Sequence, residues 1–130
     1  MSITQQKTLV NRFVEEIFNA RKTELAKDFV TPDIVYHSAD EKVSGLEKFK
    51  KWVGEDLSAF SDMHVTIIDQ FGEQNKLAVR WKCKATFQKD FAGHSASNKE
   101  VELEGVEILH FEGDKIKEAW TVSDLSQLAQ

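Results

Sequence analysis

Leu9, Phe13 and Ile17 recur at i, i+4 and i+8 near the start of the chain, with Val10, Val14 and Phe18 beside them. This spacing predicts an amphipathic helix over residues 3–20, with a wide, partly aromatic face suited to covering a sheet. Residues 22–29 predict a second, short helix with Leu25, Ala26 and Phe29 inward. Thr31-Pro32 stops it, because proline disfavours helix in the residue before it. IVYH, residues 34–37, is a short strand-like run. Ser44 and Glu47 have capping-box spacing and open a third predicted helix. Its buried stripe is Leu46, Phe49, Val53 and Leu57, flanked by Trp52.

After Phe60 the period changes from 3.6 to 2. Met63, Val65, Ile67 and Phe71 share one phase over residues 63–71. A turn at GEQNK leads to a long predicted strand, 77–87. There Leu77, Val79, Trp81, Cys83, Ala85 and Phe87 share one face, and Arg80, Lys82 and Lys84 share the other. Residues 88–99 read as a polar loop. Residues 100–111 and 115–123 read as strands joined by a tight turn at Gly113-Asp114. Val101 and Leu103 are odd-numbered, whereas Val106 and Ile108 are even. The flip predicts a bulge at Gly105, since a bulge inserts one residue and glycine tolerates its geometry. Beyond it, Ile108 and Leu109 are both apolar, which predicts cover on both sheet faces: helices on one, a second subunit on the other.

Helices first and antiparallel strands after them give an α+β class, with helices packed on one face of a curved sheet. The 130 residues form a single domain, 1–130, long enough for a substantial core. The chain is 41% hydrophobic and 30% charged, as in water-soluble domains. No run approaches the ~18 apolar residues of a membrane span. The N-terminus lacks a basic-then-apolar leader, so a cytoplasmic location is expected. A formal charge of −5 argues against nucleic acid as a partner. The single cysteine, Cys83, excludes an internal disulfide and fits a reducing compartment.

PDIVYHS, GLEKFKKWV, FSDMHVTI, LAVRWKCKATF, VELEGVEILHFEGDKIKEAW and the closing DLSQL stand in order along the chain. Together they resemble the SnoaL-like polyketide cyclase family. That family lies in the nuclear-transport-factor-2-like (cystatin-like) superfamily of cone-shaped α+β domains, in which a curved antiparallel sheet wraps the N-terminal helices. The resemblance runs from about residue 8 to about residue 128. It implies a pocket and an aldol ring closure without metal or organic cofactor, the acid/base aspartate falling on Asp124. Pocket histidines would correspond to His37 and His110. The loop AGHSASNKE lacks the prolines common in the family, and Phe87 stands where a histidine is common. Substrate identity is therefore left open.

The residues themselves leave alternatives. Asp124 could be a base with a pKa raised by burial. Its spacing to Gln127 equally suits a helix cap, which would lower that pKa. His37, next to Tyr36, could polarise a carbonyl near neutral pH or be a satisfied structural residue. Counted back from the Gly113-Asp114 turn, His110 pairs with Lys117 and falls on the sheet face opposite Asp124, unless a second irregularity intervenes. Trp81, Trp120 and Tyr36 are candidates for the pocket wall, against a core reading. Cys83 reads as an inert buried thiol. Glu102, Glu104 and Glu107 read as solvent-facing, but one turned inward would be a rival base. His64 and His94 read as exposed, and the histidine spacing predicts no metal site. Two functions follow: acid/base chemistry on a small apolar carbonyl compound, or non-catalytic binding by a homodimer of the same fold.

Overall fold

The computed structural model describes residues 1–38 and 41–124. Helix α1, Ile3–Phe13, begins at a capping box: Ser2 Oγ accepts from the Gln5 amide at 3.1 Å, and Gln5 Oε1 accepts from the Ser2 amide at 2.8 Å. The predicted helix over 3–20 does not stay α throughout. It widens into a π-helical segment, Val14–Asn19, closed by Ala20 N–H to the Glu15 carbonyl at 2.8 Å. Ile17 is in the core with Val10 and Phe13, while Phe18 is only partly covered. The second predicted helix is a 3-10 segment, Thr23–Asp28.

Strand β1 spans Val30–His37 and starts earlier than its apolar run suggests. Pro32 sits inside it, where the pairing register shifts between Val30 and Val35. Proline has no N–H to give to a ladder, so it is tolerated at such an irregularity. Strand β2, Lys42–Ser44, takes up Ser44, so the expected capping box with Glu47 does not form. Gly45, with φ at +95°, turns the chain into helix α2, Leu46–Ala59, and its N–H bonds the Ile34 carbonyl at 2.7 Å. Phe49, Val53 and Leu57 are buried as predicted, with Leu46 and Trp52 packed against them.

Strands β3 (Phe60–Glu73), β4 (Lys76–Phe87), β5 (Glu100–Glu112) and β6 (Lys115–Ser123) follow. Among the described residues, six strands form one curved, unclosed sheet in the order β2-β1-β6-β5-β4-β3. It is mixed rather than purely antiparallel, because β1 and β6 run parallel. The helices cover its inner face. On the outer face β4 and β5 are linked by charge: Lys82 Nζ lies 3.7 Å from Glu102 and 3.6 Å from Glu104, and Lys84 Nζ lies 3.9 Å from Glu100.

The bulge expected at Gly105 is absent. The β4–β5 ladder pairs every residue from Lys76↔His110 to Thr86↔Glu100 without a shift, and Gly105 sits opposite Trp81. The inner row of β5 is Leu103, Gly105, Glu107, Leu109 and Phe111, all odd-numbered. What looked like a phase change is two inward positions that are not apolar, beside two outward positions, Val106 and Ile108, that are. Gly105 is small because Trp81 needs its space: a Cβ there would lie 2.3 Å from Trp81 Cζ2 and 2.7 Å from the Val122 carbonyl oxygen. The real shifts lie in β3–β4, between Ser61 and His64 and between Ile67 and Asp69, and in β5–β6 between His110 and Phe111.

Gly105→Ala therefore forces Trp81 or β6 to move, and overpacking of this kind costs ~1–3 kcal/mol. Urea unfolding of the variant should show a lower midpoint with an unchanged slope. A midpoint equal to wild type would show that Trp81 does not need this space.

Candidate functional site

Between the inner sheet face, the π-helical segment and α2 lies a cavity of about 860 Å³. Most of its wall is apolar, with Val10, Phe18, Val79 and Leu109 among the contributors. Polar groups interrupt that wall both inside and at its opening.

Tyr36 and Glu107 come from β1 and β5, with β6 between them. The Tyr36 hydroxyl donates a short hydrogen bond to Glu107 Oε1. Thr121 of β6, paired opposite Glu107, also hydrogen-bonds the tyrosine. Alternation alone brings these groups to the inner face: Glu107 is two residues from Gly105 and two from Leu109, and faces Val79 across β4. Burial pushes the Glu107 carboxyl up to about 7, and the bond from Tyr36 opposes that rise without cancelling it. Burial, and then the Glu107 charge, hold the Tyr36 hydroxyl well above its ordinary value, so it remains a donor.

Asp56 enters the cavity from α2, on the flank of the Phe49–Val53–Leu57 stripe. Burial pushes it up to about 7 as well, against the nearby charge of Arg21. Cys83 also faces the cavity; burial and then Asp56 push its thiol up to about 12, so it stays protonated and is a poor nucleophile. Tyr36 and Trp52 pack with ring centroids 4.9 Å apart, and Trp81 forms part of another wall. The exposed side chains Glu41, Lys51, Lys89 and Asp90 mark the opening. Among the described residues, no three His, Cys, Asp or Glu side chains converge to hold a metal ion.

Of the residues singled out in the sequence, Tyr36 and Trp81 line the cavity. His37, His110 and Trp120 do not; they gather on the outer face. His37 Nε2 lies 2.7 Å from Glu118 Oε2, and its ring stacks on Trp120 at 5.1 Å. His110 meets the edge of Trp120 at 4.7 Å. Burial, and then Lys76, lower the pKa of His110. The second irregularity does occur: His110 pairs with Glu118 rather than Lys117, which puts it in the same strand phase as Asp124. Asp124 follows β6 in the row opposite Ser123, and its N–H bonds the Glu104 carbonyl at 2.9 Å. Ser123 lines the cavity and Asp124 does not. The cap from Asp124 to Gln127 falls outside the described residues.

Glu107 is the inward-turned glutamate that the cluster on β5 allowed for. Its odd number, shared with Leu103, Leu109 and Phe111, carries the signal. Asp56 has a weaker one: it lies three residues after Val53 and seven after Phe49, at the margin of the apolar stripe.

A comparison with curated proteins returns no significant match. Among solved structures, AclR of Streptomyces galilaeus, described as a candidate hydroxylase, is 28% identical, with a TM-score of 0.83 over 98% of this chain and 83% of its own. A candidate SnoaL-like polyketide cyclase from Jannaschia sp. CCS1 is 17% identical, with a TM-score of 0.88 over 99% of this chain and 96% of its own. IdmH of Streptomyces antibioticus, a candidate polyketide cyclase, is 21% identical, with a TM-score of 0.78 over 94% of each chain. The model of one family, the SnoaL-like polyketide cyclases, matches residues 8–130. That match spans nearly the whole chain, and the protein belongs to this family.

Proposed function

We propose that the protein is a cofactor-independent acid/base enzyme acting on a small, mostly apolar carbonyl compound, with Glu107 as the base. The observation that carries this reading is a carboxyl group held by a tyrosine hydroxyl inside an apolar cavity. A carboxylate with its pKa near neutrality can both take and return a proton at physiological pH. Glu107 removes the proton from a carbon flanked by two carbonyls, and the electron pair moves into the enolate. As negative charge leaves Glu107, the Tyr36 hydroxyl is freed to donate to the enolate oxygen. The enolate carbon attacks a second carbonyl of the same molecule, and protonated Glu107 returns its proton to the new alkoxide. Omitting the attack and returning the proton elsewhere gives isomerisation.

The exposed Val106, Ile108, Phe71 and Val122 on or beside the outer sheet face support association of two copies through that face. Sedimentation at micromolar concentration should show a dimer, and a monomer there removes this part of the reading.

Deuterium uptake at the α-carbon of a β-keto ester, followed by NMR, tests the chemistry. Glu107→Gln should slow exchange by at least ~100-fold, the scale of a lost general base. The rival assignment places the base on Asp124; then Asp124→Asn, and not Glu107→Gln, abolishes exchange. No exchange above background in the wild type, with ligand binding intact, identifies a binding protein. The wild-type rate should rise with pH through about 7, as Glu107 ionises. In Tyr36→Phe the rise should move to higher pH, because the bond that lowers the Glu107 pKa is gone.

The same groups set a stability trend. Asp56 and Glu107 have folded-state pKa values raised from 3.8 and 4.5 to about 7. Their contribution is full below the unfolded values and is lost as pH rises towards about 7. The melting temperature should fall from about pH 5 to about pH 8, and the double variant Asp56→Asn/Glu107→Gln should flatten much of that fall. An unchanged slope in the variant would show that these carboxyls are not desolvated.

A further inference from the structure

Asp56 has no role in the proton transfer described above, yet it faces the same cavity. Among the described residues, no hydrogen-bond donor reaches its carboxyl. Arg21 is within electrostatic range, and its Nη2 donates to the Leu57 carbonyl oxygen rather than to Asp56. Lys51 and Lys89 stay at the opening, where the Lys89 ammonium lies 2.8 Å from Ser58 Oγ. Among the described residues, the interior therefore holds two carboxyls, Glu107 and Asp56, that form no ion pair. One of them, Glu107, is hydrogen-bonded by Tyr36, and the other is not.

Aromatic rings stand near Asp56, along with Cys83. Trp52 precedes it by four residues on α2, so the two share a helix face. Tyr36 packs against Trp52 at 4.9 Å and is within electrostatic range of Asp56. A buried carboxylate is costly unless it is paired. Ring faces beside a carboxylate attract an organic cation, which gains charge-assisted hydrogen bonds and cation–π contact together. An anionic ligand would meet repulsion from both carboxyls, and a neutral one would leave Asp56 unpaired.

We infer that the cavity takes a ligand bearing a protonated amine on an apolar, ring-containing body, with the amine seated against Asp56 and Trp52. The inference deepens the proposed function and rests on its reading of this cavity as the substrate site: it adds a basic nitrogen to the carbonyl compound.

Isothermal titration with a matched pair, 2-naphthylmethylamine and 2-naphthylmethanol, tests it on the whole chain. At about pH 8, where the amine is charged and Asp56 ionised, the amine should bind at least ~10-fold more tightly, a difference of ~1.4 kcal/mol. Asp56→Asn should reduce that preference below about threefold. Circular dichroism checks that the variant folds. Trp52→Leu should weaken the amine more than the alcohol, and so tests the site by a second route that keeps the carboxylate. Equal binding of the two probes, a preference that survives Asp56→Asn, or no saturable amine binding up to about 1 mM would each overturn the inference. Exchange of an uncharged β-keto ester is a separate readout. Loss of the amine preference with Glu107-dependent exchange intact rejects only this inference, and loss of exchange with amine binding intact rejects only the catalytic reading.

Discussion

The hydrogen bond between Tyr36 and Glu107 links two strands that are not paired with each other in the sheet. β1 and β5 are separated by β6, and the tyrosine reaches across it on the inner face. That reach is possible because β1 joins the sheet parallel to β6, with Tyr36 opposite Ala119, whose small side chain leaves the path open. The antiparallel β5–β6 ladder then sets Glu107 beside Thr121. The carboxyl is tolerated in an apolar wall because a donor meets it there, and the donor stays protonated because it is buried next to a carboxyl.

Much of the fold was legible. The helical spacing of Phe49, Val53 and Leu57 and the alternation from Leu77 to Phe87 led to α2 and β4 with little adjustment. Where the reading went astray, a side chain at one position served a need that pattern alone does not encode. Gly105 is set by the Trp81 ring opposite it, and Glu107 by the cavity beneath it. Two such residues in succession along one row imitate a change of phase. Ser44 likewise has the spacing of a cap, yet it is claimed by a strand pairing with Val35. The site was less legible than the fold for the same reason: binding positions are those where the periodic pattern is broken. Asp56, on the flank of a regular stripe, breaks it least and shows least in the sequence.

Membership of a family establishes the frame and leaves the interior open. The relatives share the arrangement of helices and sheet at identities of 17% to 28%, so the side chains within can differ widely while the backbone holds. In this chain the frame separates two clusters, one on each side of the sheet. His37, Glu118, Trp120 and His110 occupy the outer face; Tyr36, Thr121, Glu107 and Asp56 occupy the inner. Adjacent residues such as Tyr36 and His37 therefore belong to different environments, divided by the thickness of one strand.

The parallel β1–β6 pair also has a bearing on time. Tyr36 and Glu107 are 71 residues apart in sequence, and His37 and Glu118 are 81 apart. Contacts of such separation close large loops and come late in folding, after local hairpins such as β5–β6 have formed. During synthesis β1 can pair with β2 early, but its other neighbour, β6, is made only near the end of the described chain. Until then the cavity wall formed by β3, β4 and β5 lacks Thr121 and Ser123, and nothing joins β1 to β5. The inner-face cluster of Tyr36, Thr121 and Glu107 thus assembles only once β6 has taken its place between β1 and β5.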